Sequence, residues 1–172
     1  MSAVPRGVPP WVRPTARVVV LAPDGRVLLL GARLTGPDAV PGDVLFWATP
    51  GGGVEEGESV RVAAARELAE EVGLVVAPEA LEGPVWMRRH VGRFGDQEID
   101  SRETFFVLRD VEHVVVPGAR TELEVRADEP HRWWSASEVA ASAEAFAPRE
   151  LAELLPEVLS GPWTGPPRFV DG

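Results

Sequence analysis

Residues 50–73 constrain the fold of this chain more than any other segment. Pro50 precedes three consecutive glycines, and residues 60–72 contain neither glycine nor proline. Ser59 is a favourable N-cap, and Gly73 is favourable for ending a helix. The pattern predicts a glycine-rich loop that leads into a helix over residues 60–72. Apolar residues recur every four positions and mark one buried stripe, made of Val60, Ala64, Leu68 and Val72.

Three glutamates of the predicted helix share one face. Glu67, Glu70 and Glu71 occupy positions i, i+3 and i+4, which are neighbours on a helix surface. Leu68 and Val72 point away from them into the predicted core. Three adjacent carboxylates repel one another, and a hard divalent cation would relieve that repulsion. Taken alone, such a charge run is more typical of a solvated helix face.

The segment 52–74 resembles the Nudix box, G-x5-E-x7-R-E-U-x-E-E-x-G-U, where U is a bulky aliphatic residue. Every fixed position is filled at the family's spacing, which makes chance a poor explanation. The matching residues are Gly52, Glu58, Arg66, Glu67, Leu68, Glu70, Glu71, Gly73 and Leu74. The resemblance implies an α/β fold of the Nudix type, an α/β/α sandwich around a mixed sheet.

The resemblance also implies a metal site. Glu67, Glu70 and Glu71 would bind Mg2+, helped by the backbone carbonyl of Gly52, and Mn2+ is expected to substitute. The expected reaction is hydrolysis of a diphosphate linkage, for which metal ions neutralise the phosphates and activate water.

Other residues of the box have implied supporting roles. Arg66 would brace the acidic cluster, and its i,i+4 relation to Glu70 gives that role a local reason. Glu58 opens the helix, where its charge suits the helix dipole, and would orient the box or touch a metal. Gly51 and Gly53 would allow phosphate to approach the backbone, although a plain flexible loop accounts for them equally well. With Glu67 and Glu71, Glu58 and Arg66 complete the candidate catalytic set.

The general base is left open by the sequence. Members of the family differ in which carboxylate takes the proton of the attacking water. Glu67 and Glu71 are candidates within the box, and an acid on a loop outside it is another. Glu103 is the preferred outside candidate, although a surface role is more typical for any one of these acids. The outside candidates are Glu98, Glu103, Glu122, Glu124 and Glu129.

Candidate substrate contacts lie on both sides of the box. Arg33 follows the second predicted strand, and Arg88, Arg89 and Arg93 lie on a later strand. Alternation along that strand lets at most half of them face a ligand. Trp47 and Phe46 precede the glycine loop, where either would stack on a base or pack in the core. The substrate-binding set is Arg33, Trp47, Gly51, Gly53, Arg89 and Glu103.

The remaining elements follow from hydrophobic alternation and turn residues. Residues 1–14 are predicted to be an extended arm, 15–160 a Nudix hydrolase domain and 161–172 a Pro/Gly-rich tail. Residues 34–44 and 117–130 are predicted to be irregular, with tight turns at 23–25 and near 95–96. The predicted strands are 17–22, 27–30, 45–49, 74–77, 85–94, 104–108 and 131–135. The further predicted helices are 137–142 and 148–159.

The composition narrows the class of protein. The 172 residues suffice for one domain with a hydrophobic core, and they include no Lys, Tyr, Asn or Cys. Schiff-base and thiolate catalysis are therefore excluded, and the codon bias is typical of a GC-rich bacterium. A net charge of −10 argues against a nucleic-acid polymer as partner. A small anion remains compatible, because a bound metal reverses the local sign.

The chain is expected to be cytoplasmic and to have no membrane partner. No stretch reaches the roughly 18 apolar residues that span a bilayer. The first 14 residues contain four prolines and lack the apolar core of a secretory signal. A homodimer is left open.

Subfamily markers narrow the expected substrate by elimination. The diadenosine polyphosphate group carries a Tyr after the box, and this chain has none. Markers of the ADP-ribose, coenzyme A and NADH groups are not recognised either. A nucleoside triphosphate pyrophosphohydrolase remains the first expectation. The alternatives are a hydrolase of a sugar-linked diphosphate, such as ADP-ribose or a nucleotide sugar, and a non-catalytic nucleotide-sensing module.

Overall fold

The computed structural model describes residues 10–33, 44–94, 97–113, 115 and 130–171. Within them lie nine strands and three α-helices, and none of these helices is long and apolar enough to cross a membrane. In chain order they are β1 (Trp11–Val20), β2 (Val27–Arg33), β3 (Val44–Ala48), β4 (Gly51–Gly53), α1 (Val60–Val72), β5 (Glu82–Phe94), β6 (Gln97–Leu108), β7 (His131–Trp134), α2 (Ala136–Ala141), β8 (Phe146–Ala147), α3 (Leu151–Leu159) and β9 (Arg168–Val170).

The strands form two mixed sheets. The larger has the order β4-β1-β6-β5-β9, and the smaller has the order β7-β2-β3-β8. In the larger sheet β1 runs parallel to β6 and antiparallel to β4, while β5 and β6 form a long antiparallel pair. In the smaller sheet β3 pairs antiparallel with β2 and parallel with β8.

Helices cover the sheets on two sides. Along β1, Val18 and Val20 are buried against α1, whereas Val19 is buried with residues of α2 and α3. This alternation is the period of two that a strand buried on both faces requires. The predicted α/β/α sandwich is confirmed, with two mixed sheets in place of the single one expected.

The helix α1 has the predicted bounds. The Ser59 hydroxyl accepts a hydrogen bond from the Val62 N–H at 3.2 Å, which caps the first turn. Gly73 adopts a left-handed φ of 71°, and its N–H donates to the carbonyl of the last turn. Glycine is the residue that takes this conformation without steric cost.

Other predictions need correction. Residues 74–77 are not a strand: the Leu74 N–H completes the helix end by donating to the Leu68 carbonyl, and Val75 is 85% exposed. The strand β1 begins at Trp11, so it includes residues assigned to the arm, and residues 168–170 of the tail pair with β5. The helix α3 begins at Leu151 and not at residue 148. The predictions for residues 34–43, 95–96 and 117–129 lie outside the described residues.

Replacing Leu68 by Ala should lower the free energy of unfolding by about 2–5 kcal/mol, because its fully buried side chain fills the space between α1 and β1. Urea denaturation measures the change. Val62→Ala on the same helix is the control, since Val62 is 43% exposed and should change stability by less than about 0.5 kcal/mol. Equal losses in both variants would contradict this packing.

Candidate active site

The three glycines of β4 bring the backbone against two other elements. Gly51 has a φ of 146°, and a Cβ there would collide with the backbone of β1. A Cβ on Gly52 would lie 2.5 Å from the Glu67 carboxyl carbon. Residues with side chains would displace either the strand or the carboxylate. The glycine run is thus a short strand paired with β1, and it carries the backbone directly past an acidic group of α1.

Arg66 links the loop to the acidic face of α1. Its Nη2 donates to Glu58 Oε1 at 2.7 Å and to the Gly53 carbonyl at 2.9 Å. Its Nη1 donates to Glu67 Oε1 at 2.9 Å and to Glu70 Oε2 at 3.2 Å. A planar guanidinium is suited to joining several oxygens in this way. These contacts support the bracing role expected of Arg66, which stays a prediction.

Arg66 and the carboxyl groups around it have pKa values that shift in different directions. Burial raises the pKa of the Glu67 carboxyl, although the hydrogen bond from Arg66 opposes that effect. The Arg66 hydrogen bond lowers the pKa of Glu58, and the same contact raises the pKa of Arg66. Glu58 therefore stays ionised as a structural partner, while Glu67 is the more basic carboxylate.

The box lines a cavity of about 780 Å³. Glu71 reaches across to the loop and accepts a hydrogen bond from the Gly51 N–H at 2.7 Å. Glu70 keeps its side chain 46% exposed on the helix rim. The three box glutamates line this cavity together with the glycines of β4 and residues of β1 and β3.

The donor set of the cavity is suited to a hard cation. Carboxylate and carbonyl oxygens are the ligands that Mg2+ prefers, and the absence of a Cβ at Gly52 lets the backbone lie beside the Glu67 carboxylate. In the part of the chain that is described, no three acidic or histidine side chains converge on one point. Glu67 and Glu70 are held by Arg66, and Glu71 is held by Gly51.

Glu103 lies in a buried ion-pair cluster. It is 5% exposed and lies between Arg17 Nε at 3.4 Å and Arg88 Nε at 2.7 Å. Arg17 also donates to the carbonyls of Thr49 and Gly51, so it ties the start of the glycine loop to the sheet. Through Arg17, the cluster holds the glycine loop on the side that faces the sheet. Glu103 does not line the cavity that holds the box glutamates.

Two substrate contacts predicted from sequence need correction. Trp47 is 7% exposed and packs edge-on against Trp134 in the core, with its indole N–H donating to Glu144. The cavity wall is formed instead by its neighbour Phe46. Arg89 pairs with Asp100 at 2.9 Å and lines neither this cavity nor the adjacent one, because strand alternation turns it away from Arg88.

The other predicted contacts have different placements. Gly51 and Gly53 line the cavity as expected of residues that face substrate. Arg33 ends β2, and its side chain lies outside the described part, as does that of Arg93. Glu98 is exposed on β6 away from the cavity. The candidates Glu122, Glu124 and Glu129 fall among residues that the structure does not describe.

Trp11 and Arg13 are cavity residues that the sequence patterns did not single out. Both line the cavity, and the Arg13 guanidinium lies over the Trp11 ring at 5.7 Å. A Cβ on Gly53 would lie 2.8 Å from the guanidinium, so this arginine covers the glycine loop. Assigning residues 1–14 to an arm concealed them. The spacing of Trp11, Arg13, Thr15 and Arg17 is the period-two signal of one strand face.

A family model matches most of the chain. The NUDIX domain model matches residues 11–157. The chain therefore belongs to the Nudix hydrolase family, and the resemblance found in residues 52–74 is confirmed.

The relatives and structural neighbours are pyrophosphohydrolases and MutT proteins. An RNA pyrophosphohydrolase of Halorhodospira halophila is 39% identical over 104 residues, 56% of this chain and 52% of that protein. One of Caulobacter vibrioides is 32% identical over 135 residues, 70% and 67% of the two chains. This chain thus spans about half the length of the first relative and two thirds of the second.

The solved structures show the fold. The MutT protein of Methanosarcina mazei Go1 matches with a TM-score of 0.57 and 17% identity, over 88% of this chain and 97% of that one. The E. coli dihydroneopterin triphosphate pyrophosphohydrolase matches with a TM-score of 0.54 and 24% identity, over 87% and 98%. At these identities the likeness extends to architecture and not to substrate.

Replacing Arg66 by Gln should raise the pKa of Glu67 further, because Arg66 is the main cation that opposes the effect of burial. A 13C NMR titration of the glutamate carboxyl groups measures this directly. Arg26→Gln is the control, since Arg26 pairs with Asp24 at an exposed turn. Unchanged titration of Glu67 in Arg66→Gln would show that Arg66 does not set its charge.

Proposed function

We propose that this protein hydrolyses a phosphoric anhydride of a nucleoside triphosphate in a reaction that depends on Mg2+. The observation that carries the proposal is the single cavity lined by Glu67, Glu70 and Glu71 beside the glycines of β4. Five of the nine fixed residues of the Nudix box line it, namely Gly52, Arg66, Glu67, Glu70 and Glu71. A cavity of this volume accommodates a mononucleotide.

The residues of the chain have separable roles in the proposed reaction. Mg2+, held by the box glutamates and the Gly52 carbonyl, would neutralise the phosphates and lower the pKa of the attacking water. Within the box, Glu67 and Glu71 are our candidate proton acceptors. Arg66 and Glu58 hold the acidic face of α1 and the glycine loop in fixed positions relative to each other. Arg13, above Gly53, is placed to contact phosphate oxygens.

A second candidate substrate is the 5′-triphosphate end of RNA. The relatives from H. halophila and C. vibrioides are named RNA pyrophosphohydrolases, and the same anhydride chemistry acts on a free and on an RNA-linked triphosphate. This candidate competes with the expectation that no nucleic-acid polymer is bound. The acidic charge of the chain still argues against binding a long RNA through its backbone.

A substrate panel tests the proposed function. Purified protein with Mg2+ is incubated with nucleoside triphosphates, oxidised triphosphates, ADP-ribose, nucleotide sugars, dinucleotides and a 5′-triphosphorylated oligoribonucleotide, and products are separated by chromatography. Turnover of one class is expected, with a loss of at least about a hundredfold in Glu71→Gln and in the presence of a chelator.

Glu79→Gln is the matched control of the panel, because Glu79 is exposed on the short turn after α1 and does not line the cavity. It should retain wild-type turnover. Ligand binding by calorimetry without turnover of any compound would replace the hydrolase with a nucleotide-sensing module.

Gly52→Ala should reduce kcat/KM by about a hundredfold while leaving the fold intact. The new Cβ displaces the Glu67 carboxylate, the mobile end of a side chain, and small misplacements of catalytic groups have effects of this size. Circular dichroism checks the fold. Gly165→Ala is the control, because a Cβ there meets nothing within 4 Å. Full activity in Gly52→Ala would mean that the Glu67 position is unimportant.

A further inference from the structure

A second cavity of about 870 Å³ adjoins the one that contains the box glutamates. It extends between β5 and β6 on one side and α2, β8 and the start of α3 on the other. The two cavities have lining residues in common, so they form one continuous cleft. The shared residues are Arg13, Arg17, Phe46, Ala48 and Ser101.

The second cavity is basic, in contrast to the first. Its two carboxylates are already engaged, Glu103 by Arg17 and Arg88 and Glu144 by the Trp47 indole. The arginines thus neutralise Glu103, whereas Glu144 keeps its negative charge, and the four arginines of the cavity still outnumber its two carboxylates. The chain as a whole carries a net charge of −10, so a cavity rich in cations is unusual for it. The four arginines that line it are Arg13, Arg17, Arg88 and Arg149.

Arg13 and Arg149 are the cations that the cleft leaves for a ligand. Neither forms an ion pair with any carboxylate among the described residues. Arg13 lies where the two cavities meet, above the glycine loop, and Arg149 is exposed just before α3. Arginine is the side chain best matched to phosphate oxygens, which it binds through two parallel hydrogen bonds.

The size of the cleft also favours a ligand that reaches both cavities. Each cavity alone falls in the range that accommodates a drug-sized ligand. A mononucleotide fills one cavity of this size, so the two cavities together offer room for a longer ligand. Phe46 lines both cavities, so an aromatic ring stands between the acidic and the basic ends where a base can stack.

We propose that the Arg149 end of the cleft binds a phosphate group that the substrate carries beyond the scissile anhydride. The inference rests on the proposed hydrolase function and narrows its substrate to molecules longer than a simple nucleoside triphosphate. The charge gradient along the cleft sets the orientation of such a molecule. Its anhydride lies at the metal-binding carboxylates, and its distal phosphate lies at Arg149.

The test compares substrates with and without a distal phosphate. GTP, the dinucleotide pppGpG and diadenosine tetraphosphate are assayed with wild-type protein, Arg149→Gln and the control Arg26→Gln. Arg149→Gln is expected to lower the ratio of kcat/KM for a long substrate over that for GTP by about tenfold, the effect of one charge-assisted hydrogen bond. Arg26→Gln removes the same charge outside the cleft and should leave the ratio unchanged.

The outcomes separate this inference from the proposed function. If Arg149→Gln lowers the kcat/KM ratio for pppGpG alone, the distal phosphate is that of a phosphodiester. If it lowers the ratio for diadenosine tetraphosphate alone, the distal phosphate belongs to a polyphosphate chain. An unchanged ratio for both overturns the inference while the hydrolase stands.

Absence of turnover by the wild type would overturn the hydrolase. Calorimetry then tests whether the Arg149 end of the cleft binds the distal phosphate. Weaker binding of the long ligand but not of GTP by Arg149→Gln supports the inference, and equal binding by wild type and variant overturns it.

Discussion

The contact on which the site depends is the set of hydrogen bonds that Arg66 makes with the loop and with the acids of its own helix. Without this cation, Glu67 and Glu70 would repel each other on one face of α1, and the Gly53 carbonyl would lose its donor. A single guanidinium satisfies these oxygens with little loss of side-chain entropy, because its donors are already arranged in a plane. The loop and helix are therefore held as one unit.

A second arginine holds the loop on the side that faces the larger sheet. Arg17 on β1 donates to Thr49 and Gly51 carbonyls and pairs with the buried Glu103. The glycine loop thus lies between two cations, one on the helix side and one on the sheet side. Glu103 supports Arg17 in this arrangement. A role as general base would require it to leave two arginines, which is costly for a carboxylate buried to this degree.

Local patterns in the sequence predicted the parts of the fold that local interactions decide. The helix α1 has its predicted bounds because its cap, stripe and terminal glycine act within one segment. Residues 74–77 resembled a strand by composition, but none of the described strands pairs with them and Val75 faces solvent. Spacing placed the box glutamates on one helix face. Strand register decides whether Arg88 or Arg89 faces the cleft. A single sequence does not determine that register.

The opposite charges of the two cavities bear on how an acidic protein selects an anionic substrate. A carboxylate-lined cavity repels phosphate until a cation occupies it, so in the proposed reaction that end of the cleft would discriminate by metal-dependent chemistry and not by affinity. Arg13 and Arg149 attract phosphate without a metal and so provide binding where no bond is broken. Binding energy gained at such a remote position can be used to align the anhydride at the carboxylates. Substrate selection and bond cleavage can then depend on separate residues of one cleft.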